Sequence, residues 1–286
     1  MSNIQAKAER FRALHRPGAP FIIPNPWDAG SAQMLAALGA RALATTSSGS
    51  AFALGKRDMG HVSRDETLAY CRAIVAATPL PVSADLENGF GEAPETVAET
   101  VRMAAQIGLV GCSIEDAALP LSEAYGFDLA LERVRAAIAA VRGLGFAFML
   151  TARADGVLTG AYGPAEALRR LRAFDAAGAD VLYAPLLPMD DTAALCAGTA
   201  TPVNALAAGK FVHVPLAGFA AAGVARISIG GGLARLTCAT IRDAARAMFG
   251  DGDFSVLAGA IGSGAVASIV RAGAKGERVS GKPGES

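Results

Sequence analysis

Phe21-Ile22-Ile23-Pro24-Asn25-Pro26-Trp27-Asp28 is a short apolar run that stops at a turn with two prolines and no glycine. A helical pattern follows it over 31–38, and the same alternation of short apolar run and longer Ala-rich amphipathic run recurs along the chain. Strand-like runs fall at 21–24, 42–46, 82–85, 110–115, 147–153, 181–184, 203–206 and 226–229. Helical patterns follow at 31–38, 64–77, 95–107, 129–142, 164–177, 191–196, 216–222 and 233–249. Gly39, Gly108, Gly178 and Gly223 close helices just before the next strand, as left-handed helix stops do. Two architectures share this alternation. An open doubly wound sheet needs a glycine-rich phosphate turn after its first strand, and 24–28 contains no glycine. The expected fold is therefore a (β/α)8 TIM barrel, one domain over 1–272, with a polar tail over 273–286 that frays.

Composition narrows the class of partner. The chain has 286 residues, 52% hydrophobic and 18% charged, and its 26 Lys and Arg balance its 26 Asp and Glu. Such a chain buries a large core and lacks the positive field that nucleic acid or an anionic membrane requires. A small molecule is the expected partner, with no nucleic acid and no membrane. Cys71, Cys112, Cys196 and Cys238 lie far apart in apolar surroundings, which reads as packed, reduced thiols. The first ten residues carry charges where a secretion signal needs an apolar run, so a cytoplasmic location is expected.

The chemistry sits where strands end. Ser83-Ala84-Asp85-Leu86-Glu87, Ser113-Ile114-Glu115-Asp116 and Thr151-Ala152-Arg153 each finish on charge, and Ser47-Ser48-Gly49 leads to Asp58. Alternate strand residues share a face, and barrel active sites assemble at the C-terminal strand ends. Acids crowded into one mouth need a neutralising cation, and oxygen-only ligands without His or Cys favour Mg2+ or Mn2+. Arg153 is the natural grip for a carboxylate or phosphonate, or else an ion-pair partner of Asp155 or Glu115. The Ser47–Gly49 turn offers backbone N–H groups to an anion, as Gly230-Gly231-Gly232 does before its helix, unless that is only a tight turn. His15, His61 and His213 lack partners at metal-ligand spacing and read as surface or loop residues.

In this order the motifs are similar to those of the isocitrate lyase and phosphoenolpyruvate mutase superfamily over nearly the whole length. The stretches that carry the resemblance are Leu54-Gly55-Lys56-Arg57-Asp58, Asp85-Leu86-Glu87-Asn88-Gly89-Phe90-Gly91, Ser113-Ile114-Glu115-Asp116 and Thr151-Ala152-Arg153-Ala154-Asp155. The resemblance implies a barrel whose last helix is exchanged between subunits of a homodimer or homotetramer. It implies Mg2+ held directly by Asp85, with Asp58, Glu87 and Glu115 acting mostly through waters. A 2-oxo or 2-hydroxy acid would be clamped by Arg153, Ser47, Ser48 and Gly49, with Asn204 and Trp27 in the same pocket.

One segment departs from the superfamily's best-known members. Isocitrate and methylisocitrate lyases carry Lys-Lys-Cys-Gly-His after the Glu115 position, whereas Ala117-Ala118-Leu119-Pro120-Leu121-Ser122-Glu123-Ala124-Tyr125-Gly126 has no Lys, Cys or His. Glu123 and Tyr125 are the groups in that loop able to reach a substrate on closure, or else they face solvent. The expected activity is cleavage of a carbon–carbon bond in a small 2-hydroxy or 2-oxo dicarboxylate, with Arg153, Glu115 and Asp58 as catalytic residues and the proton donor unassigned. The rivals are oxaloacetate decarboxylation, carbon–phosphorus chemistry, and a silent barrel that only binds a 2-oxo acid.

Overall fold

A computed structural model describes residues 3–121 and 123–279. Ser122 of the departing loop and residues 280–286 of the expected tail lie outside the described residues. Strands and helices alternate as α1 (Asn3–Leu14), β1 (Phe21–Ile23), α2 (Ala29–Ala37), β2 (Leu43–Ala44), α3 (Ser47–Ala53), α4 (Arg64–Ala77), β3 (Val82–Asp85) and α5 (Pro94–Gln106). The chain continues through β4 (Gly111–Glu115), α6 (Phe127–Arg142), β5 (Met149–Arg153), α7 (Gly156–Thr159), α8 (Pro164–Ala177), β6 (Val181–Tyr183) and α9 (Met189–Gly198). It ends with β7 (Val203–Leu206), α10 (Leu216–Ala221), β8 (Arg226–Ser228), α11 (Gly232–Arg246) and α12 (Ser263–Lys275).

The eight strands form one parallel sheet in the order β1-β8-β7-β6-β5-β4-β3-β2. The remaining seam is bridged by Ala44 N–H, which donates to Pro24 O at 3.1 Å. Asn25, in the glycine-free turn, reinforces it. Its Nδ2 donates to Ala44 O and Thr45 O, both at 3.1 Å, while its Oδ1 accepts from Ile229 N and Gly230 N at 2.9 and 3.0 Å. One buried side chain thus ties the ends of β1, β2 and β8 together, and the result is the expected TIM barrel.

Local signals place the helices. Asp28 caps α2 by accepting from Ser31 N at 2.6 Å, and Ser63 with Glu66 forms a reciprocal capping box on α4. Pro94 and Pro164 open α5 and α8, where a missing N–H costs nothing. Gly39, Gly108, Gly178 and Gly223 all take positive φ at the stops read from sequence. Along the strands, apolar residues such as Ala84, Ile114, Ala152, Leu182 and Ile227 face outward into the helix-covered core. The alternate residues Asp85, Glu115, Arg153, Tyr183 and Ser228 face a central cavity.

Three elements depart from the sequence reading. The Ser47–Gly49 turn is the first turn of α3, with Thr46 as its N-cap. The charged N-terminus forms α1, which buries Ala8 and Phe11. The tail boundary at 273 moves, because α12 runs through a buried Gly273 to Lys275, and Val279 N still donates to Ala37 O at 3.1 Å. Among the described residues no helix is long and apolar enough to cross a membrane.

Candidate active site

Asp58, Asp85, Glu87, Glu115 and Asp155 line one cavity of about 290 Å³ together with Arg153, Arg226 and Arg235. A larger, more open groove of about 1100 Å³ runs beside it and shares only Glu87. The smaller cavity is the candidate site, because the strand-end charges converge there.

Arg153 organises the acids. Its Nη1 lies 2.8 Å from Asp85 Oδ1, its Nη2 lies 2.9 Å from Glu115 Oε2 and 2.6 Å from Asp155 Oδ2, and its Nε donates to Asp155 Oδ1 at 3.1 Å. The guanidinium is therefore an ion-pair hub for three carboxylates, not a free clamp. Asp85 is held further by Ser47, whose backbone N and Oγ donate to Oδ2 at 3.3 and 3.0 Å. Ser113 Oγ donates to Asp85 Oδ1 at 3.4 Å, and Asp85 N donates to Thr45 Oγ1 at 3.0 Å. Glu87 sits at φ +48°, a left-handed conformation, and its Oε1 accepts from Gly60 N at 3.0 Å.

The acids are under electrostatic load. Burial pushes the Glu87 carboxyl up to about 7; the Gly60 N–H opposes that, and the neighbouring Asp85 and Asp58 add to it. Burial raises Asp58 as well, reinforced by Asp85 and opposed by the Met59 backbone and Ser47. Glu115 is raised well above the carboxylate range by burial, against the pull of Arg153.

Whether the site suits a divalent cation is decided by its donors. Among the described residues Asp58 Oδ1 is buried without a hydrogen-bond partner, and Asp58, Asp85, Glu87, Glu115 and Asp155 line the one cavity around Arg153. Every acidic donor offers hard oxygen, and His61 lies away from the cavity with its Nδ1 on Asp58 O and Met59 O. Among the described residues, however, no three acidic, His or Cys side chains already converge at metal-holding distance. The donor chemistry fits a hard cation near Asp58, Asp85 and Glu87, and seating one requires Asp85 to trade its contact with Arg153 or Ser47.

Other expected site residues fall elsewhere. Ser47, Ser48 and Asn204 line the cavity, but Trp27 and Gly49 do not. A Cβ on Gly49 would meet Thr46 Cγ2 at 2.7 Å and Trp27 Cβ at 2.9 Å, so these two residues pack behind the wall. Asn204 Nδ2 donates to Ser228 Oγ at 3.0 Å, and its Oδ1 accepts from Arg226 Nε at 2.8 Å. Glu123 and Tyr125 line the outer groove, and Tyr125 Oη accepts from Asn88 Nδ2 at 3.0 Å. The triple glycine does not present an open anion cradle, since Gly230 N already serves Asn25. His15 is no surface residue: its Nδ1–H donates to Phe11 O at 2.9 Å and its Nε2 faces Arg226 Nη1 at 3.4 Å in the buried interior. Of the cysteines, Cys71 and Cys112 are buried as expected, while Cys238 is exposed.

Sequence reasoning missed Arg226, Arg235 and Tyr183. Arg226 and Tyr183 lie on strands at alternate, inward positions, so the period-two rule applied to β6 and β8 would have found them. Asp116, next to Glu115, is buried behind the site, where its Oδ1 accepts from Asp155 N at 2.8 Å. Its Oδ2 accepts from Tyr162 Oη at 2.5 Å and Arg170 Nη1 at 2.9 Å.

Comparison with known proteins places this geometry. The phosphoenolpyruvate phosphomutase family model matches residues 11–249. A protein of Mycobacterium tuberculosis strain H37Rv, Rv1998c, is 32% identical over 223 residues, covering 77% of this chain and 81% of its own. The 2,3-dimethylmalate lyase of Eubacterium barkeri is 32% identical over 184 residues, 62% of each chain. Among solved structures, a candidate lyase/mutase from Burkholderia cenocepacia J2315 superposes with TM-score 0.89 at 46% identity, covering 94% of this chain and 96% of that one. Oxaloacetate acetylhydrolase in complex with oxalate superposes with TM-score 0.82 at 25% identity, covering 93% and 94%. With a match that spans most of the barrel and a relative above 30% identity over most of both chains, this protein belongs to the phosphoenolpyruvate phosphomutase family, within the isocitrate lyase and phosphoenolpyruvate mutase superfamily.

Proposed function

We propose that the chain is a Mg2+-dependent carbon–carbon lyase acting on a small 2-hydroxy or 2-oxo dicarboxylate. The observation that carries this reading is that Asp58, Asp85, Glu87 and Glu115 together line a cavity of about 290 Å³, a volume suited to a small acid. Mg2+ or Mn2+, held by Asp85 with Asp58, Glu87 and Glu115 around it, would supply Lewis-acid polarisation of the substrate's 2-oxygen. Arg153, held by Asp85, Glu115 and Asp155, keeps a fixed positive charge beside the substrate and would offset the negative charge that grows as the bond to C3 breaks; it would grip the substrate carboxylate only by giving up one of those contacts. Ser47 holds Asp85 in place, and Ser48 and Asn204 contribute hydrogen bonds to the bound acid. Glu115 and Asp58 order waters around the site.

A second reading is favoured by the superposition on oxaloacetate acetylhydrolase: hydrolytic cleavage of a 2-oxo diacid. In that reaction the attacking water adds to the 2-oxo carbon and its proton can pass to the carbanion that leaves as the bond to C3 breaks, so the step does not demand a Cys, Lys or His from the 117–126 loop, which has none.

Assembly as a homodimer or homotetramer belongs to the same proposal. Leu236 and Ile241 on α11 are 62% and 67% exposed, and Phe249 just beyond is 86% exposed, which is a surface expected to be covered by a second copy.

The test is to incubate the protein with Mg2+ and a panel of 2-hydroxy and 2-oxo diacids and follow release of pyruvate, glyoxylate or oxalate. Turnover abolished by EDTA and restored by Mg2+ supports the reading. Metal-independent turnover, or stabilisation by ligand with no product from any diacid, rejects it in favour of another chemistry or a binding role.

A further inference from the structure

Strand register sets Arg153, Tyr183, Asn204 and Arg226 side by side at one level of β5, β6, β7 and β8, and all four line the candidate site. Arg226 fixes the direction of the hydrogen bonds that leave this row. A guanidinium only donates, so the atom of Asn204 that Arg226 Nε meets at 2.8 Å is the amide oxygen. The other end of that amide is then the NH2 group, which donates to Ser228 Oγ at 3.0 Å. Ser228 keeps one hydrogen to give. It reaches Ala205 O only at 3.4 Å, near the limit of a hydrogen bond, and it also meets the Tyr183 hydroxyl.

If Ser228 donates to Tyr183, the phenol keeps its own hydrogen, and among the described residues no other group takes it. The reverse arrangement, with Tyr183 donating to Ser228, spends the serine hydrogen on the long Ala205 contact. The first arrangement is favoured on length, and it leaves an O–H with a cavity to face. Burial pushes the Tyr183 hydroxyl up to about 12, against Arg153 and Ser228, so the group holds its proton at neutral pH. The 117–126 loop has no Cys, Lys or His, and cleavage of a 2-hydroxy diacid still needs an acid for the carbon that leaves.

We propose that Tyr183 is the proton donor of the carbon–carbon cleavage, its hydroxyl turned toward the substrate by the chain that runs from Arg226 through Asn204 and Ser228. The inference rests on the lyase reading above and adds the acid that reading lacks. As the 2-hydroxyl loses its proton to water, its oxygen becomes the 2-oxo group and the electron pair of the C2–C3 bond leaves with C3. The Tyr183 proton moves to C3. The Ser228 hydroxyl then donates to the tyrosinate, and Arg153 Cζ, 5.4 Å from the ring centroid, offsets its charge until water returns a proton. Arg226 touches no reacting atom in this step and is a positioning residue.

The experiment incubates the full chain with Mg2+ and 3-methylmalate in D2O, where cleavage releases glyoxylate and propionate deuterated at C2. The wild type should give [2-2H]propionate of one handedness. Tyr183→Phe should lower kcat by roughly 100-fold or more, and its residual product should contain both hands, because water protonates the carbanion from either side. Calorimetric titration with malate should show an affinity within about threefold of the wild type in that variant. Arg226→Met should lower kcat by roughly tenfold to a hundredfold by misdirecting the hydroxyl. A Tyr183→Phe protein with wild-type kcat, or with product of a single hand, overturns the assignment. So does a loss of malate affinity as large as the loss of turnover, which would make Tyr183 a packing residue. Wild-type kcat in Arg226→Met overturns the positioning chain. If the wild type releases no glyoxylate from 3-methylmalate, the lyase reading itself fails for this substrate class, and this inference with it.

Discussion

Arg153 Nη1 and Asp85 Oδ1 stand 2.8 Å apart at the centre of the barrel mouth, and through this one guanidinium β3, β4 and β5 share their terminal charges. The pair has two consequences that separate on mutation. Asp85 is the acid on which the metal proposal turns, while Arg153 is the charge that makes Glu115 and Asp155 tolerable inside the protein.

Asp85→Ala should abolish Mg2+-dependent turnover and remove the thermal stabilisation that Mg2+ gives the wild type. The metal-free fold should persist, because Arg153 keeps Glu115 and Asp155 as partners. Differential scanning fluorimetry with and without Mg2+ checks this, and an Asp85→Ala protein that still gains stability from Mg2+ removes Asp85 as the anchor.

Arg153→Met should behave differently. It leaves Glu115 and Asp155, 4% and 2% exposed at their side chains, buried without a counter-charge, and breaking such a pair costs about 3–5 kcal/mol. Urea unfolding should show a loss of that size without metal. A loss under about 1 kcal/mol would mean that the acids simply take up protons.

His15 sets a pH dependence away from the site. Burial, with Arg226 next in importance, lowers it to about 3 from 6.5. A folded-state value below the unfolded one means that the unfolded chain takes up a proton first as the pH falls. The stabilisation is complete above pH 6.5 and is lost as the pH drops toward 3, at about 1.4 kcal/mol per pH unit for one proton. His15→Gln should show a shallower decline than the wild type between pH 6 and pH 4 in urea unfolding, as read at about those two pH values. Parallel declines would show that His15 is not the group responsible.

Much of this arrangement was legible in the chain, and what was not has a physical cause. The barrel, its strand ends and its glycine stops are local patterns of period and backbone freedom, so Asp85, Glu115 and Arg153 could be placed together before any coordinates. The Ser47–Gly49 segment misled because Ser and Gly are turn residues by propensity, yet a Thr46 cap and packing against Trp27 fold it into a helix. Trp27 follows a strand in sequence but turns behind the wall, which only tertiary packing decides. His15 gave no sign of burial because its partner, Arg226, is 211 residues away. Arg153 was readable as a charge at the mouth; that it carries three acids at once depends on strand register, which pairs Glu115 with Arg153.

Asn25 closes the barrel through two functions of one amide, and the two can be tested apart. Asn25→Asp keeps an acceptor for Ile229 N and Gly230 N, but it takes the donor from Ala44 O and Thr45 O and sets negative charge against those carbonyls. The side chain is 5% exposed, so water does not replace what is lost, and destabilisation of about 1–3 kcal/mol follows from the unpaired buried groups. Asn25→Ala removes both functions and should cost more than Asn25→Asp. The β1–β2 seam has Ala44 N to Pro24 O as its backbone bridge, so amide exchange at Ala44 should accelerate in both variants while exchange within β4 and β5 stays slow. Unchanged protection at Ala44 would show that the seam holds without the asparagine.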